Sequence, residues 1–396
     1  MVIQIVSQFY YPDNFKINEI TEELTKLGHE VNVLTGLPDY STGKIPKEYK
    51  LFKNRKQELF GASIKRVPIT ARRKGVIFRA LNYASFIITS FLHAIFGKKP
   101  DCDAIFVYET SPVFQAVPAI IWKNRTGKKL VLYCCDLWPE SMKAWGVKES
   151  NLVFKMVKSF SGWLYRNCDV VAITSKPFRH YLIDVCGVDN KKIVYLPQHA
   201  DDIYKDIVGD YDDNGVVDFL FAGNVGAVQN IDCIIEATAL INKDKKFKVH
   251  ILGDGSELDN CKKLTSSKGL GDKIILHGRV PQMETKKYYK MADCFLLTLS
   301  SGNSIGLTLP AKAQGYLSAG KPIVAAIDGE ANEMIRIANC GEVVKASDAK
   351  TLAEKMSLII DNFDKYKQKG LNGRRYYEEN YTKEIFMNSL LSILKD

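Results

Sequence analysis

The chain has no pair of cysteines at metal-binding spacing. Its nine cysteines include no C-x-x-C, which argues against a zinc site. An odd, scattered set fits buried thiols in a reducing compartment better than a disulfide framework. The opening residues Met1-Val2-Ile3-Gln4-Ile5-Val6 carry neither a basic region nor a cleavage site. They read as a first strand and not as a signal peptide, so the expected compartment is the cytoplasm. No short-period repeat and no low-complexity run appears, which removes solenoids and compositional disorder. The basic residues form no stripe interleaved with aromatics, which weighs against nucleic acid as a partner.

What is present is a globular composition. The 396 residues, 46% hydrophobic and 25% charged, exceed one ordinary core and suit two α/β domains. Lysine and arginine outnumber aspartate and glutamate by 55 to 45, a formal charge of +10. That excess fits an anionic partner (a nucleotide diphosphate, an acidic membrane surface, nucleic acid) and equally a soluble, lysine-rich surface.

Strand-like and helix-like runs alternate along the chain. Val2–Ser7, Val31–Thr35, Ala104–Tyr108, Leu130–Cys135 and Val170–Thr174 read as strands. Asn14–Leu27, Pro112–Lys123 and Leu152–Arg166 read as helices, the first with Ile17, Ile20 and Leu24 at helical spacing and Gly28 as its stop. After the polar stretch Lys205–Asp213 the layout repeats, with strands at Val216–Ala222, Lys248–Leu252, Ile274–His277, Cys294–Leu299 and Ile323–Ala326. Helical patterns separate them and return at Thr351–Asn362 and Glu384–Leu394. Such alternation implies two parallel sheets with crossover helices, hinged near residues 200–215. One segment stands apart. Val76–Phe96 is mostly apolar, with Arg72, Arg73 and Lys74 before it and Lys98 and Lys99 after it. It fits a buried core helix, a helix lying on a membrane surface, or a span, the last weakened by Arg79, Asn82 and His93.

In open parallel sheets ligands bind beyond the carboxyl ends of the strands, so the loops there matter most. Phe221-Ala222-Gly223-Asn224-Val225-Gly226 ends a strand with glycines that let backbone approach a phosphate, or that serve only a tight turn. Gly253-Asp254-Gly255-Ser256-Glu257 ends another; it reads first as a turn before a capped helix, and second as the edge of a nucleotide site. Ser300–Thr308 is small and polar and leads into Leu309-Pro310-Ala311-Lys312. Pro310 suits a helix start. Lys312 falls in the first turn, where the helix dipole disfavours a cation, so an anion is expected beside it. Gly329-Glu330 follows the next strand, near a ribose or as an acidic first turn. In the first half, Asp136-Leu137-Trp138-Pro139-Glu140-Ser141 follows a strand, placing Asp136 and Glu140 where a carboxylate orients an acceptor hydroxyl or caps a helix. Glu109 ends the preceding strand. Asp13 and Asn14 open the first helix as phosphate-facing residues or as plain caps. His199, at the domain boundary, reads first as structural.

The second half resembles the donor domain of retaining glycosyltransferases of the GT-B fold, family four, in FAGNVGAVQN, ILGDGSE, LHGRVPQ and GLTLPAKAQGYLSAGKPIVAAIDGE. The first half resembles the same family in FYYPDN, GHEVNVLTGLPDYSTG and VLYCCDLWPESMKAWG. Within the family the chain is similar to the WbuB-type L-fucosamine transferases of O-antigen and capsule assembly. The resemblance implies an acceptor-binding Rossmann-like domain over residues 1–205 and a nucleotide-sugar-binding one over 206–370, facing each other across a cleft. A helical segment over 371–396 is expected to pack back on the first domain. Donor contacts are implied for Asp13, Asn14, Gly223, Asn224, Gly226, Gln229, Gly253, Gly255, Arg279, Ser304, Thr308, Lys312, Gln314 and Glu330, and catalytic roles for Asp136, Glu140, Glu109 and Lys312. The chain departs from the family pattern where Gly315 replaces a glutamate, and where Asn224 and Gln229 replace a positive pair.

The resemblance further implies transfer with retention from a UDP-sugar, an N-acetylated hexosamine such as N-acetyl-L-fucosamine, without cofactor or essential metal. The acceptor would be a saccharide on polyprenyl diphosphate at the inner face of the cytoplasmic membrane. A UDP-sugar 2-epimerase and a non-catalytic nucleotide-sugar sensor are the rival readings.

Overall fold

The computed structural model describes residues 1–73, 75–212, 214–302 and 308–395, apart from the side chains of 144 and 145. The chain divides into two compact units. One comprises residues 1–196 with 387–396, and the other residues 197–386.

The first unit holds β1 (Val2–Val6), β2 (Glu30–Gly36), β3 (Lys56–Leu59), β4 (Ala62–Val67), β5 (Ala104–Glu109), β6 (Lys129–Cys134), β7 (Val170–Ile173) and β8 (Ile193–Tyr195), in the sheet order β3-β4-β2-β1-β5-β6-β7-β8. Every pairing is parallel except β3 with β4. That hairpin turns through Phe60 and Gly61, both at positive φ, as a two-residue turn demands. The crossovers are α1 (Lys16–Lys26), α2 (Val76–Phe96), α3 (Val117–Thr126), α4 (Leu152–Asn167) and α5 (Phe178–Asp184). Strands β5 and β6 are buried almost throughout because helices cover both faces, so they read as unbroken apolar runs.

The second unit carries β9 (Val217–Ala222), β10 (Phe247–Leu252), β11 (Ile274–Gly278), β12 (Cys294–Thr298), β13 (Ile323–Ala326) and β14 (Gly341–Val344) in the all-parallel order β11-β10-β9-β12-β13-β14. This is the doubly wound order whose direction reverses between its first and fourth strands, here β9 and β12. Its helices are α6 (Ile231–Leu240), α7 (Leu258–Ser267), α8 (Thr285–Met291), α9 (Ala311–Ser318), α10 (Glu330–Ile337), α11 (Ala349–Asp361) and α12 (Phe363–Asn380), and α13 (Lys383–Lys395) follows. Successive residues of β9 feed two cores, Phe219 and Phe221 one face, Leu220 and Ala222 the other.

The carboxyl-terminal segment expected over 371–396 is divided. Helix α12 lies in the second unit, where a Cβ on Gly370 would meet the Gly320 carbonyl at 2.4 Å. Residues 387–396 lie in the first unit, where Lys129 Nζ donates to the Ile393 carbonyl at 2.6 Å.

Helix α2 is not a core helix. It buries Asn82, Tyr83, Phe86, Ser90 and Ala94 and leaves Ile77, Leu81, Ile88, Leu92 and Phe96 exposed along its length. Asn82 ties it down: its amide donates to Asp39 Oδ2 at 2.8 Å and to the Thr70 carbonyl at 2.6 Å, and accepts from Gln8 at 2.9 Å.

Candidate active site

In the second unit two loops meet at the carboxyl ends of adjacent strands. After β9 the chain turns at Gly223 (φ +147°), and after β10 at Gly253 (φ +146°), conformations that belong to glycine. A Cβ on Gly253 would lie 1.8 Å from the Gly223 carbonyl oxygen, and one on Gly223 would lie 2.9 Å from Lys312 Nζ. Backbone bonds zip the loops, Val225 N donating to the Asp254 carbonyl at 2.9 Å and Glu257 N to the Val225 carbonyl at 3.0 Å. A cavity of about 470 Å³ opens beside them, lined by Gly223, Asn224, Gly253, Gly255, Arg279, Tyr204, Thr285 and Tyr289 among others.

Lys312 comes from the first turn of α9. Pro310 caps that helix without a side-chain hydrogen bond, and its first turn holds no acidic residue. Its Nζ is shielded from solvent and has no hydrogen-bond partner among the described residues. It sits 3.8 Å from the centre of the Phe221 ring. Burial pulls its pKa down from 10.5 to about 7. A buried cation whose one visible partner is an aromatic face is costly alone and is resolved by an anion.

The other residues singled out in this half fall into two groups. Asn224 Nδ2 donates to Gln229 Oε1 at 3.0 Å, and Gly226 lies under that pair, where a Cβ would meet both side chains. The loop thus closes on itself with neutral groups where the family pattern has cations. Gln314 is buried with its amide against the Pro310 and Ala311 carbonyls of its own helix start, and Glu330 is buried in the first turn of α10; neither lines the cavity. Thr308 is partly buried, and Ser304 lies outside the described residues. Tyr204 and Tyr289, stacked at 3.8 Å, were not anticipated from sequence; Tyr204 also bonds Thr285 through its hydroxyl at 2.8 Å. Gly315 faces this pair, since a Cβ there would lie 3.6 Å from each tyrosine.

In the first unit the carboxylates at the ends of β5 and β6 differ in state. Glu109 is fully buried, and neither oxygen has a hydrogen-bond partner among the described residues. Burial, and then the charge of Asp136, push its pKa well above the ordinary carboxylate value, which favours the neutral form. Asp136 is more open. Burial raises its pKa to about 6, against the Ser141 hydroxyl, which donates to Oδ1 at 2.6 Å. Asp136 is therefore ionised at neutral pH and available at a strand end. Glu140 pairs with Lys143 at 2.5 Å. Trp138 Nε1 donates to Ser111 Oγ at 2.8 Å and fixes the turn between Asp136 and Glu140.

Asp13 and Asn14 do not open the first helix. Helix α1 begins at Lys16 behind Phe15, without a side-chain cap. Asp13 instead accepts from the backbone of Asp39 (3.2 Å), Tyr40 (3.1 Å) and Ser41 (2.8 Å), and from the Ser41 hydroxyl at 2.6 Å. Its charge is spent on shaping that loop, and Asn14 is exposed. His199 is buried, with Nδ1 2.9 Å from the Ala200 carbonyl. In each of the two Asp-x-Asp triplets, Asp101–Asp103 and Asp210–Asp212, one acid is engaged elsewhere. Asp103 accepts from Val2 N at 2.8 Å, and Asp210 pairs with Lys290 at 3.0 Å. Among the described residues no cluster of three or more His, Cys, Asp or Glu side chains could hold a metal ion.

These features agree with known proteins. The family "Glycosyltransferase Family 4" matches residues 17–202 and "Glycosyl transferases group 1" matches residues 211–376. The putative colanic acid biosynthesis glycosyl transferase WcaI of Escherichia coli is 24% identical over 321 residues, covering 76% of each chain. The probable glycosyltransferase WbjE of Pseudomonas aeruginosa is 24% identical over 301 residues, 72% of this chain and 73% of that one. The crystal structure of Anabaena Alr3699/HepE in complex with UDP-glucose superposes with a TM-score of 0.68 at 14% identity, covering 100% of this chain and 99% of the other. With both halves matched and the doubly wound sheets in place, the chain is a transferase enzyme of the GT-B fold and belongs to glycosyltransferase family 4, with a group 1 carboxyl-terminal half.

Proposed function

We propose that this glycosyltransferase moves a sugar, with retention at the anomeric carbon, from a UDP-sugar to a saccharide carried on polyprenyl diphosphate. The donor is an N-acetylated hexosamine such as UDP-N-acetyl-L-fucosamine, and the product enters a surface polysaccharide, O-antigen or capsule. The observation that carries the reading is the buried ammonium of Lys312 beneath the Gly223 turn, without a hydrogen-bond partner among the described residues. The donor diphosphate lies against this loop, with Arg279 at the cavity rim. As the anomeric carbon–oxygen bond breaks, negative charge gathers on the β-phosphate, and Lys312 and the loop amides stabilise it. The acceptor oxygen bonds to the anomeric carbon and its proton passes to the departing phosphate oxygen. Asp136 orients the acceptor hydroxyl, and burial of Glu109 at the end of the neighbouring strand β5 disfavours a second negative charge there. No cofactor beyond the donor enters.

The UDP assignment is supported by the Anabaena structure, and the polysaccharide assignment by the colanic acid relative. The inner membrane face is supported by exposed apolar residues on α2 and by Leu152, Val153, Met156, Phe160 and Trp163 on α4. A thermal-shift series over UDP, GDP and ADP tests the donor class. Stabilisation by UDP is the expected result, and no response to any nucleotide would overturn the reading.

A further inference from the structure

A second cavity, of about 910 Å³, lies in the first unit, between the loops that leave the carboxyl ends of β2 and β4. Its lining includes five cations, Lys44, Lys50, Arg72, Arg73 and Arg79, and no carboxylate. Among the described residues Lys44, Lys50, Arg72 and Arg73 make no salt bridge with a carboxylate. The two acids beneath are committed to building the walls. Asp13 holds the backbone of residues 39–41, and Asp39 Oδ2 accepts from Arg72 N at 2.6 Å and from Asn82. Arg72 is fixed in place by an aromatic box, its guanidinium 4.5 Å from Tyr40, 5.5 Å from Phe9 and 5.6 Å from Tyr83. Cations gathered around one fixed guanidinium, with no carboxylate in the lining, suit an anion site.

The cavity borders an apolar stripe. Arg73 lies 5.6 Å from the Phe78 ring in the first turn of α2. From there Ile77 (75% exposed), Leu81 (48%), Ile88 (58%), Leu92 (46%) and Phe96 (80%) continue at helical spacing. Twenty-one residues of helix span roughly 30 Å. A cationic pocket at one end of a long exposed apolar stripe matches one chemistry, a phosphate-bearing head on a long hydrocarbon chain.

We infer that this pocket binds the diphosphate of the lipid-linked acceptor, with the hydrocarbon chain lying along the exposed face of α2. The inference rests on the acceptor class proposed above and supplies its site. The test measures binding of undecaprenyl diphosphate in mixed micelles to the full chain and to the double variant Lys44→Glu/Arg73→Glu, both positions being exposed. Parallel arms use inorganic pyrophosphate as competitor, vesicles containing phosphatidylglycerol without acceptor, and UDP. The double variant is expected to bind the diphosphate lipid at least about tenfold more weakly, with vesicle and UDP binding retained, and pyrophosphate is expected to compete in the wild type. Unchanged lipid affinity in a folded variant overturns the inference. An equal loss on plain phosphatidylglycerol vesicles overturns it too, because the pocket would then read phospholipid headgroups. Failure of the wild type to bind UDP would strike the donor reading alone, since the lipid measurement needs no donor.

Discussion

Replacing Lys312 by methionine separates the two consequences of a buried ammonium. The substitution keeps an unbranched side chain over Phe221 and deletes the charge. The lowering of the lysine pKa from 10.5 to about 7 corresponds to roughly 5 kcal/mol against the charged form at 1.36 kcal/mol per unit. The Phe221 face and local relaxation recover part of this, so Lys312→Met is expected to stabilise the free protein by roughly 1–4 kcal/mol, or about 2–4 °C in Tm for each kcal/mol. The sign follows from proton linkage. The unfolded chain binds the lysine proton up to pH 10.5 and the folded chain only to about 7. The wild type therefore gains stability as pH rises between those values, and its deficit against the methionine variant is largest below pH 7. UDP affinity should fall by about thirtyfold or more, because the diphosphate loses its partner. Differential scanning fluorimetry with and without UDP, at pH 6.5 and pH 9, reads both effects. A methionine variant less stable than the wild type, or one that keeps the full UDP shift, would refute the argument.

The same lysine makes donor binding pH-dependent. A diphosphate raises its pKa, so UDP binding should take up a proton above pH 7 and weaken as pH rises further, which calorimetry in buffers of different ionisation enthalpy measures. Transfer should fall as pH drops through about 6, where Asp136 becomes protonated. Asp136→Asn should lower kcat by about a hundredfold or more and remove that limb in a rate profile with labelled donor and membrane acceptor. Because the folded pKa of Asp136 is raised from 3.8 to about 6, its contribution to stability is lost as pH rises between those values, so the asparagine variant should gain on the wild type over that window and keep the gain above it. Gly253→Ala, whose methyl group would collide with the Gly223 carbonyl, should cost at least about 1–3 kcal/mol and abolish UDP binding, as chemical denaturation and fluorimetry would show.

Much of this architecture is written in local pattern. Strands β5, β6, β9, β12 and β13 are covered on both faces, so each is a mostly apolar run visible without tertiary knowledge. The glycines at 223 and 253 are legible as strand-end glycines, although their cause, one loop pressed against the other, is not. Strands β3 (KQEL) and β4 (ASIKRV) carry too few apolar residues to stand out as strand-like runs, and β3 forms the sheet edge. The helical segment expected over 371–396 begins earlier in the structure, since α12 runs from Phe363, and Gly370 and Gly373 let that helix approach Gly320 and Cys340. The candidate site divides the same way. Lys312 announces itself by an unfavourable position in its helix. Asp13 looks like a cap but serves a loop more than 25 residues away, and the Tyr204–Tyr289 stack joins residues that only the fold brings together.

The most direct test is a crystal structure of the chain grown with UDP at neutral pH. The account expects the diphosphate in the cavity bounded by Gly223, Gly253 and Arg279, with a phosphate oxygen about 3 Å from Lys312 Nζ. A nucleotide bound elsewhere, with that ammonium still resting on Phe221 and unpaired, would contradict it.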